Sequence, residues 1–252
     1  MSRRQLIASA LFVAGAAFAC HAAQAQKAVT AYNTYQSVPF QVGGEGGLAA
    51  DLVDYLNAKL AGKYVFKLEV LPRDQFNQML AGPRFDGVSL FLAPPFVGDA
   101  EKKKFLWSAP LMTDNNLIVS NPARKVEYDG PDSLRGLRFG GVTGNRYAGL
   151  EALPRSADTS AELSNLKNVA SGTIDVTLLP ESIFRYYLKT SSNARFGLDK
   201  LHVSGKYHAS FTRHMFVSKE QPELAKELDA VVAKMPADPA WKDIAARYGW
   251  KL

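Results

Sequence analysis

Two apolar periodicities alternate along this chain. Leu48, Leu52, Val53, Tyr55, Leu56 and Leu60 recur at helical spacing and Gly62 closes the segment, which predicts an amphipathic helix. Val29–Tyr32 reads as a short strand running into an irregular loop, Asn33 to Phe40. Tyr64–Val70 is strand-like, Asp74–Leu80 is a short helix, and Asp86–Leu92 is a buried strand, because its apolar run is continuous. Ahead of the first helix, Gly43-Gly44-Glu45-Gly46-Gly47 breaks regular structure and leaves the backbone free to turn or to approach a ligand. This order of strands and helices predicts a parallel sheet with helices packed against it.

A second unit repeats the element order without repeating the sequence. Asn115–Ser120 is a strand ended by Asn121-Pro122. Leu137–Val142 is a strand followed by a turn at Gly144, a helix from about Arg146 and another over Ser160–Ala170. Asp175–Leu179 is a strand and Glu181–Leu188 a helix. The strand Met215-Phe216-Val217 and helices around Pro222–Met235 and Pro239–Tyr248 return to the first unit. The expected division is residues 26–119 with 214–252 as lobe 1 and 120–213 as lobe 2.

Residues 1–25 fall outside the fold. Arg3 and Arg4 precede an apolar run from Leu6 to Phe18 that ends in Ala23-Gln24-Ala25, the layout of a secretory signal peptide cleaved before Gln26. The apolar core is shorter than the ~20 residues that span a bilayer. The lead before the arginine pair is short for a twin-arginine signal, so the general secretory route and a periplasmic location are expected. Cys20 is the only cysteine, and Ala17-Phe18-Ala19 lacks the leucine of a lipoprotein signal, so no lipid anchor is expected there. Cleavage would leave no thiol for disulfides, catalysis or metal binding.

Removing Arg3 and Arg4 lowers the formal net charge from +6 to +4. The remaining basic residues are scattered, which excludes the basic face expected of a nucleic-acid binder. A monomer is expected, with no cofactor and no metal. Of the four histidines, His21 is in the signal peptide, and His202, His208 and His214 form no recognisable catalytic pattern. His208 and His214 also lack the spacing of a metal pair.

The segment Phe85–Pro110 is the most informative stretch, although the order and spacing of several motifs together, rather than any one of them, are specific. Asp86, the apolar run to Leu92 and Trp107-Ser108-Ala109-Pro110 resemble the corresponding segment of the bacterial extracellular solute-binding proteins of family 3, the polar amino-acid receptors of ABC transporters. Tyr35 with Pro39-Phe40, Gly47-Leu48-Ala49-Ala50-Asp51-Leu52, Ser133-Leu134-Arg135-Gly136 with Gly140 to Gly144, Ser171 to Asp175, Trp241 to Ile244 and Arg247-Tyr248-Gly249 follow in the family's order. The resemblance implies a two-lobed α/β fold of the periplasmic-binding-protein type II. Each lobe would be a mainly parallel sheet flanked by helices, with a two-strand hinge and a solute held between the lobes. It also implies an ABC permease as partner.

The family's ligand grip is altered. An arginine usually holds the substrate carboxylate where this chain has Glu101, and an acid usually holds the amino group where it has Pro180. Thr143, Gly144, Asn145 and Arg146 occupy the family's anion-binding turn, and Arg146 could supply the missing guanidinium or be a surface residue. Glu181 could face the cleft or act as a first-turn helix residue. Tyr35, Phe40 and Phe91 are candidate aromatic contacts, and Arg73 could reach the cleft from a helix start. Leu90, Phe91 and Ala93 replace polar family positions and make that wall less polar.

The expected function is capture of a small polar or carboxylate-bearing solute and its delivery to a permease. Two alternatives are a periplasmic enzyme of the same fold, dehydratase-like, with Glu45 and Glu181 as acid and base if the cleft joins them, and a sensory partner of a membrane receptor.

Overall fold

A computed structural model describes residues 26–44, 46–82, 85–143, 147–159, 161–190 and 196–250. The first lobe begins with β1 (Lys27–Asn33), α1 (Leu48–Lys59), β2 (Tyr64–Val70), α2 (Arg73–Ala81), β3 (Val88–Leu92) and the short β4 (Phe105–Trp107). β1 lies between β2 and β3 and runs parallel to both. Along α1, Leu48, Leu52, Val53, Tyr55 and Leu56 are buried against this sheet, as their spacing predicts. Each contributes roughly 1.5–3 kcal/mol of transfer free energy, before the entropy of ordering the chain is set against it.

The chain then crosses. β5 (Met112–Ser120) leads to β6 (Phe139–Val142), β7 (Arg155–Thr159), α3 (Glu162–Ala170), β8 (Val176–Pro180), α4 (Glu181–Lys189) and β9 (His202–Val203). β10 (Ala209–Ser218) returns, followed by α5 (Pro222–Val232) and α6 (Pro239–Arg247). The main strand order is β2-β1-β3-β10-β5-β8-β6-β7, with β4 on β10 and β9 on β5. Parallel pairs lie in the outer parts of both lobes, and the antiparallel pairs involve the two strands that cross between them.

β10 changes partners midway. Ala209–Arg213 pair with Asn116–Met112 of β5, whereas His214, Phe216 and Val217 face Leu92, Ser89 and Val88 of β3. A register shift between His214 and Phe216 marks the change. β5 does the same, since its Asn116–Ser120 half pairs with Pro180–Val176 of β8. Two continuous strands therefore join two cores, one around Leu52, Phe91 and Trp241 and the other around Leu117, Leu166 and Ile183.

Most predicted elements appear within a residue or two of their expected ends, but the region after Val142 differs. Of the helix expected from about Arg146, the residues from Tyr147 to Pro154 form turns, with Gly149 at φ +76°, and β7 follows as a strand parallel to β6. Gly149 and Pro154 break a helix, and Arg155–Thr159 pairs along β6 instead. Gly44 and Gly46 flank Glu45, which lies outside the described residues. Gly47, at φ +121°, packs against chain rather than facing a ligand: a Cβ there would sit 2.5 Å from the Phe40 carbonyl oxygen.

Candidate functional site

A cavity of about 720 Å³ lies between the lobes. Lobe 1 supplies Thr34, Tyr35, Gln36, Val38, Phe40 and Arg73, the second lobe supplies Val142, Glu162, Pro180, Ile183 and Tyr187, and Arg213 comes from crossing strand β10. The loop after β1 is set by Asn33, whose buried side chain accepts from Tyr35 N at 3.1 Å and donates to Tyr35 O at 2.8 Å. This turn at the carboxyl end of a strand is where open α/β sheets place their ligands. Val38, further along, packs on the core of the second lobe, so the lobes touch across the cavity.

The cavity floor is aromatic and cationic. The Tyr35 and Phe40 rings are 4.7 Å apart and those of Phe40 and Phe91 5.1 Å apart. The Arg213 guanidinium lies 4.6 Å from the Tyr35 ring centre and 4.7 Å from that of Phe40. Its charge is already answered, since Nη2 meets Asp114 Oδ2 at 2.7 Å. Burial acts against the guanidinium's charge, but Tyr35 and Asp114 outweigh it and raise the pKa. Arg213 therefore acts as a buried strut beneath the aromatic rings.

Arg73 differs. Its Nη2 donates to Phe96 O at 2.7 Å, Nε to Asn77 Oδ1 at 3.2 Å and Nη1 to Thr34 Oγ1 at 3.4 Å, all of them neutral acceptors. Burial lowers its pKa, yet an arginine so placed keeps its proton. Across the cavity Glu162 opens α3, and burial raises its carboxyl pKa against the opposing pull of its own backbone N–H. The nearby Tyr187 hydroxyl is pushed up to about 12, first by burial and then by Glu162.

Of the residues singled out from sequence, Tyr35, Phe40 and Arg73 line the cavity. Phe91 and Ala93 do not; both are fully buried, and Phe91 at φ +59° backs Phe40 and accepts Arg213 Nη1 at 3.2 Å. Thr143 binds back to Thr159 O through its N–H at 2.9 Å and its hydroxyl at 3.2 Å, leaving Val142 as the lining residue of that strand end. Gly144, Asn145 and Arg146 lie outside the described residues.

Glu181 lies instead in a separate cavity of about 410 Å³ beside β5, with Asp114, Ser182, Arg185 and Trp250. Its carboxylate accepts from Asn115 Nδ2 at 2.6 Å and from Arg185 Nε at 2.7 Å, which fits a first-turn helix residue. Glu101 is exposed and pairs with Lys103, so it replaces the family arginine in sequence without entering the cleft. The turn that carries it is built by Asp99. Although burial opposes its charge, Trp107 Nε1 and the backbone N–H groups of Lys104, Lys103 and Phe105 lower the Asp99 pKa.

Gln36, Glu162, Tyr187 and Arg213 were not foreseen. Arg213 precedes the predicted strand Met215-Phe216-Val217, so no local pattern places it, and Glu162 reads as an ordinary first-turn acid. The histidines are engaged elsewhere: His202 with Glu127, His208 with Ala148 O, and His214 between Ser108 O and Thr212. Among the described residues no group of three or more His, Cys, Asp or Glu could hold a metal ion.

A hinged two-lobe fold with one cleft is the architecture the sequence resemblance implies, and comparison with known proteins decides the family. The pattern of the bacterial extracellular solute-binding proteins, family 3, matches residues 29–251. The chain belongs to this family. As an extracellular solute-binding protein it is periplasmic or secreted, and no helix among its described residues is long and apolar enough to cross a membrane.

Solved structures share the fold at low identity. An ancestral cationic amino acid solute-binding protein matches at 16% identity and TM-score 0.64, over 88% of this chain and 95% of that one. Another structure of that ancestor, described as a precursor of cyclohexadienyl dehydratase, matches at 18% identity and TM-score 0.60 over the same shares. The L-cystine solute receptor of Neisseria gonorrhoeae, unliganded and open, matches at 16% and 0.62, over 91% of this chain and 95% of that one. No curated protein matches this solute-binding protein in sequence.

Proposed function

We propose that this family member captures a small polar or carboxylate-bearing solute in the 720 Å³ cleft, closes by bending of β5 and β10, and presents the closed form to an ABC permease from the periplasm. One observation carries the reading: the cavity beyond the carboxyl ends of β1 and β6 draws its walls from both lobes and its floor from crossing strand β10. A solute touching both walls favours the closed form by its differential contacts, which is what delivery of a closed receptor requires. Family membership and the amino-acid-binding proteins of the same fold support the solute class.

The protein acts as a monomer, and its task is binding rather than chemistry. His202, His208 and His214 are committed to structural hydrogen bonds away from the cleft, and Glu181 sits in another cavity. Thermal-shift screening against amino acids, organic acids, amines and short peptides tests the reading. A ligand at a hundred times its Kd stabilises by about 2.7 kcal/mol, or roughly 5–10 °C for a protein of this size. Depletion of the ligand with appearance of a product would replace binding by catalysis, and the absence of any hit would sink the reading.

A further inference from the structure

α4 meets lobe 1 on two sides. Ile183 and Tyr187, one turn apart, line the cleft, and Val38 of lobe 1 packs on the core that holds Ile183. Arg185, Tyr186 and Lys189 lie around the other side of the helix, against the end of the chain. There the Tyr186 and Tyr248 rings stack with centres 6.2 Å apart, and Lys189 Nζ donates to Ala246 O in the last turn of α6, a helix end that favours a cation. Gly249 comes so close that a Cβ on it would sit 3.0 Å from the Arg185 carbonyl oxygen. The end of the chain is fixed to lobe 1, since Tyr248 OH donates to Asp51 Oδ2 of α1 at 2.5 Å and the Trp250 ring meets that of Trp241 edge-on at 6.2 Å.

This second contact lies behind the crossing strands. Beside it is the cavity of about 410 Å³, bounded by Arg185 of α4, by Pro236 and Trp250 of lobe 1, and by Met112–Asn115 of β5. It shares no lining residue with the cleft. The partition is the Asp114–Arg213 pair, because Asp114 lines the rear cavity, Arg213 lines the cleft, and the two meet at 2.7 Å. Pro180 and Glu181 divide in the same way at the start of α4. α4 is therefore a rocker across the strands that bend. A rotation that carries Ile183 and Tyr187 toward the Tyr35 loop lifts Tyr186 and Lys189 off Tyr248 and Ala246 and widens the rear cavity.

We infer that the contact of Tyr186 and Lys189 with the segment Ala246–Trp250 opposes closure, so that residues outside the cleft set how tightly the protein holds its solute. The inference rests on the cleft being the solute site that closes. Apparent affinity scales with the fraction of molecules in the binding-competent form, so an interaction removed behind the hinge raises affinity in front of it. Val38 acts in the opposite sense, because its contact is made on the cleft side.

Three variants test this by different means. Tyr186→Ala removes the ring pair, whereas Thr113→Phe adds bulk to the rear cavity from an exposed position on β5 and leaves the rear contact's own residues in place. Both should compact the ligand-free protein in X-ray scattering and tighten the solute found by screening roughly two- to tenfold, the range of an aromatic pair. In a Cys20→Ser background, Lys189→Cys with Gly249→Cys places two Cβ atoms 3.6 Å apart, within disulfide range, and locks the rear contact. The oxidised form should bind roughly tenfold or more weakly than the same protein reduced. Scattering and affinity unchanged in both single variants, or equal affinity of the oxidised and reduced bridge, overturns the inference. Scattering needs no ligand, so compaction of the single variants while no solute is ever found would sink the reading of the cleft and leave the rear contact standing.

Discussion

Arg213 donates to Asp114 Oδ2 from Nε at 2.8 Å and approaches it with Nη2 at 2.7 Å, with both side chains about 1% exposed. Asp114 also accepts from Ser182, through N at 3.1 Å and Oγ at 2.7 Å, at the start of α4. One carboxylate thus ties both crossing strands to the second lobe. Asp114→Ala leaves a buried guanidinium unanswered and should cost roughly 3–5 kcal/mol in urea unfolding. The double variant Asp114→Leu/Arg213→Met should regain much of that loss, because it removes both charges.

Asp175 is held at a pKa of about 2, first by the side-chain hydrogen bonds of Arg138, against burial, and further by the Arg138 N–H and by Arg124. A carboxyl depressed in the folded state stabilises above its unfolded pKa of about 3.9 and loses that contribution as pH falls toward its folded pKa. The shift corresponds to about 2.6 kcal/mol. The stability difference between wild type and Asp175→Asn should be near that value above about pH 5 and should shrink as the pH approaches about 2. Denaturation curves at several pH values would read it, and a difference that does not change with pH would count against the ion pair as its cause.

Val38 reaches from the first lobe onto the core of the second. Val38→Asp places a charge in that contact and should shift the population toward the open form. X-ray scattering should show a larger radius of gyration without ligand. Affinity for any solute found should fall roughly tenfold, the effect of about 1.4 kcal/mol on closure.

Gly47 precedes α1 at φ +121°, with the Phe40 and Gln41 backbone where a side chain would begin. Gly47→Ala should destabilise the first lobe by roughly 1–3 kcal/mol and displace the Phe40 end of the cleft loop. A melting temperature and affinity equal to wild type would show that the loop tolerates the shift.

What local pattern expresses was legible in the residues. α1 follows from the spacing of Leu48, Leu52 and Leu56, β3 from its unbroken apolar run, and α4 from Glu181 behind Pro180. The motifs from Tyr35 to Gly249 pointed to the family because their order survives divergence even where single positions do not. β10 was legible only in part, since Met215-Phe216-Val217 shows a strand but not that Ala209–Arg213 extends it across to β5.

The sequence by itself determined most of the α/β element order and the family, and it pointed to the loop whose Tyr35 lines the cavity, because these depend on residues near one another in the chain. Only the tertiary structure decided which charges face the cleft. Glu101 and Glu181 are as acidic in sequence as Glu162, yet one is exposed beside Lys103, one is bound to Asn115 and Arg185, and the third lines the cavity. Asp114 and Arg213 meet only because β5 and β10 cross side by side. Partner choice across such distances is set by strand register and by the cost of leaving a buried charge unanswered, and neither is written in local spacing.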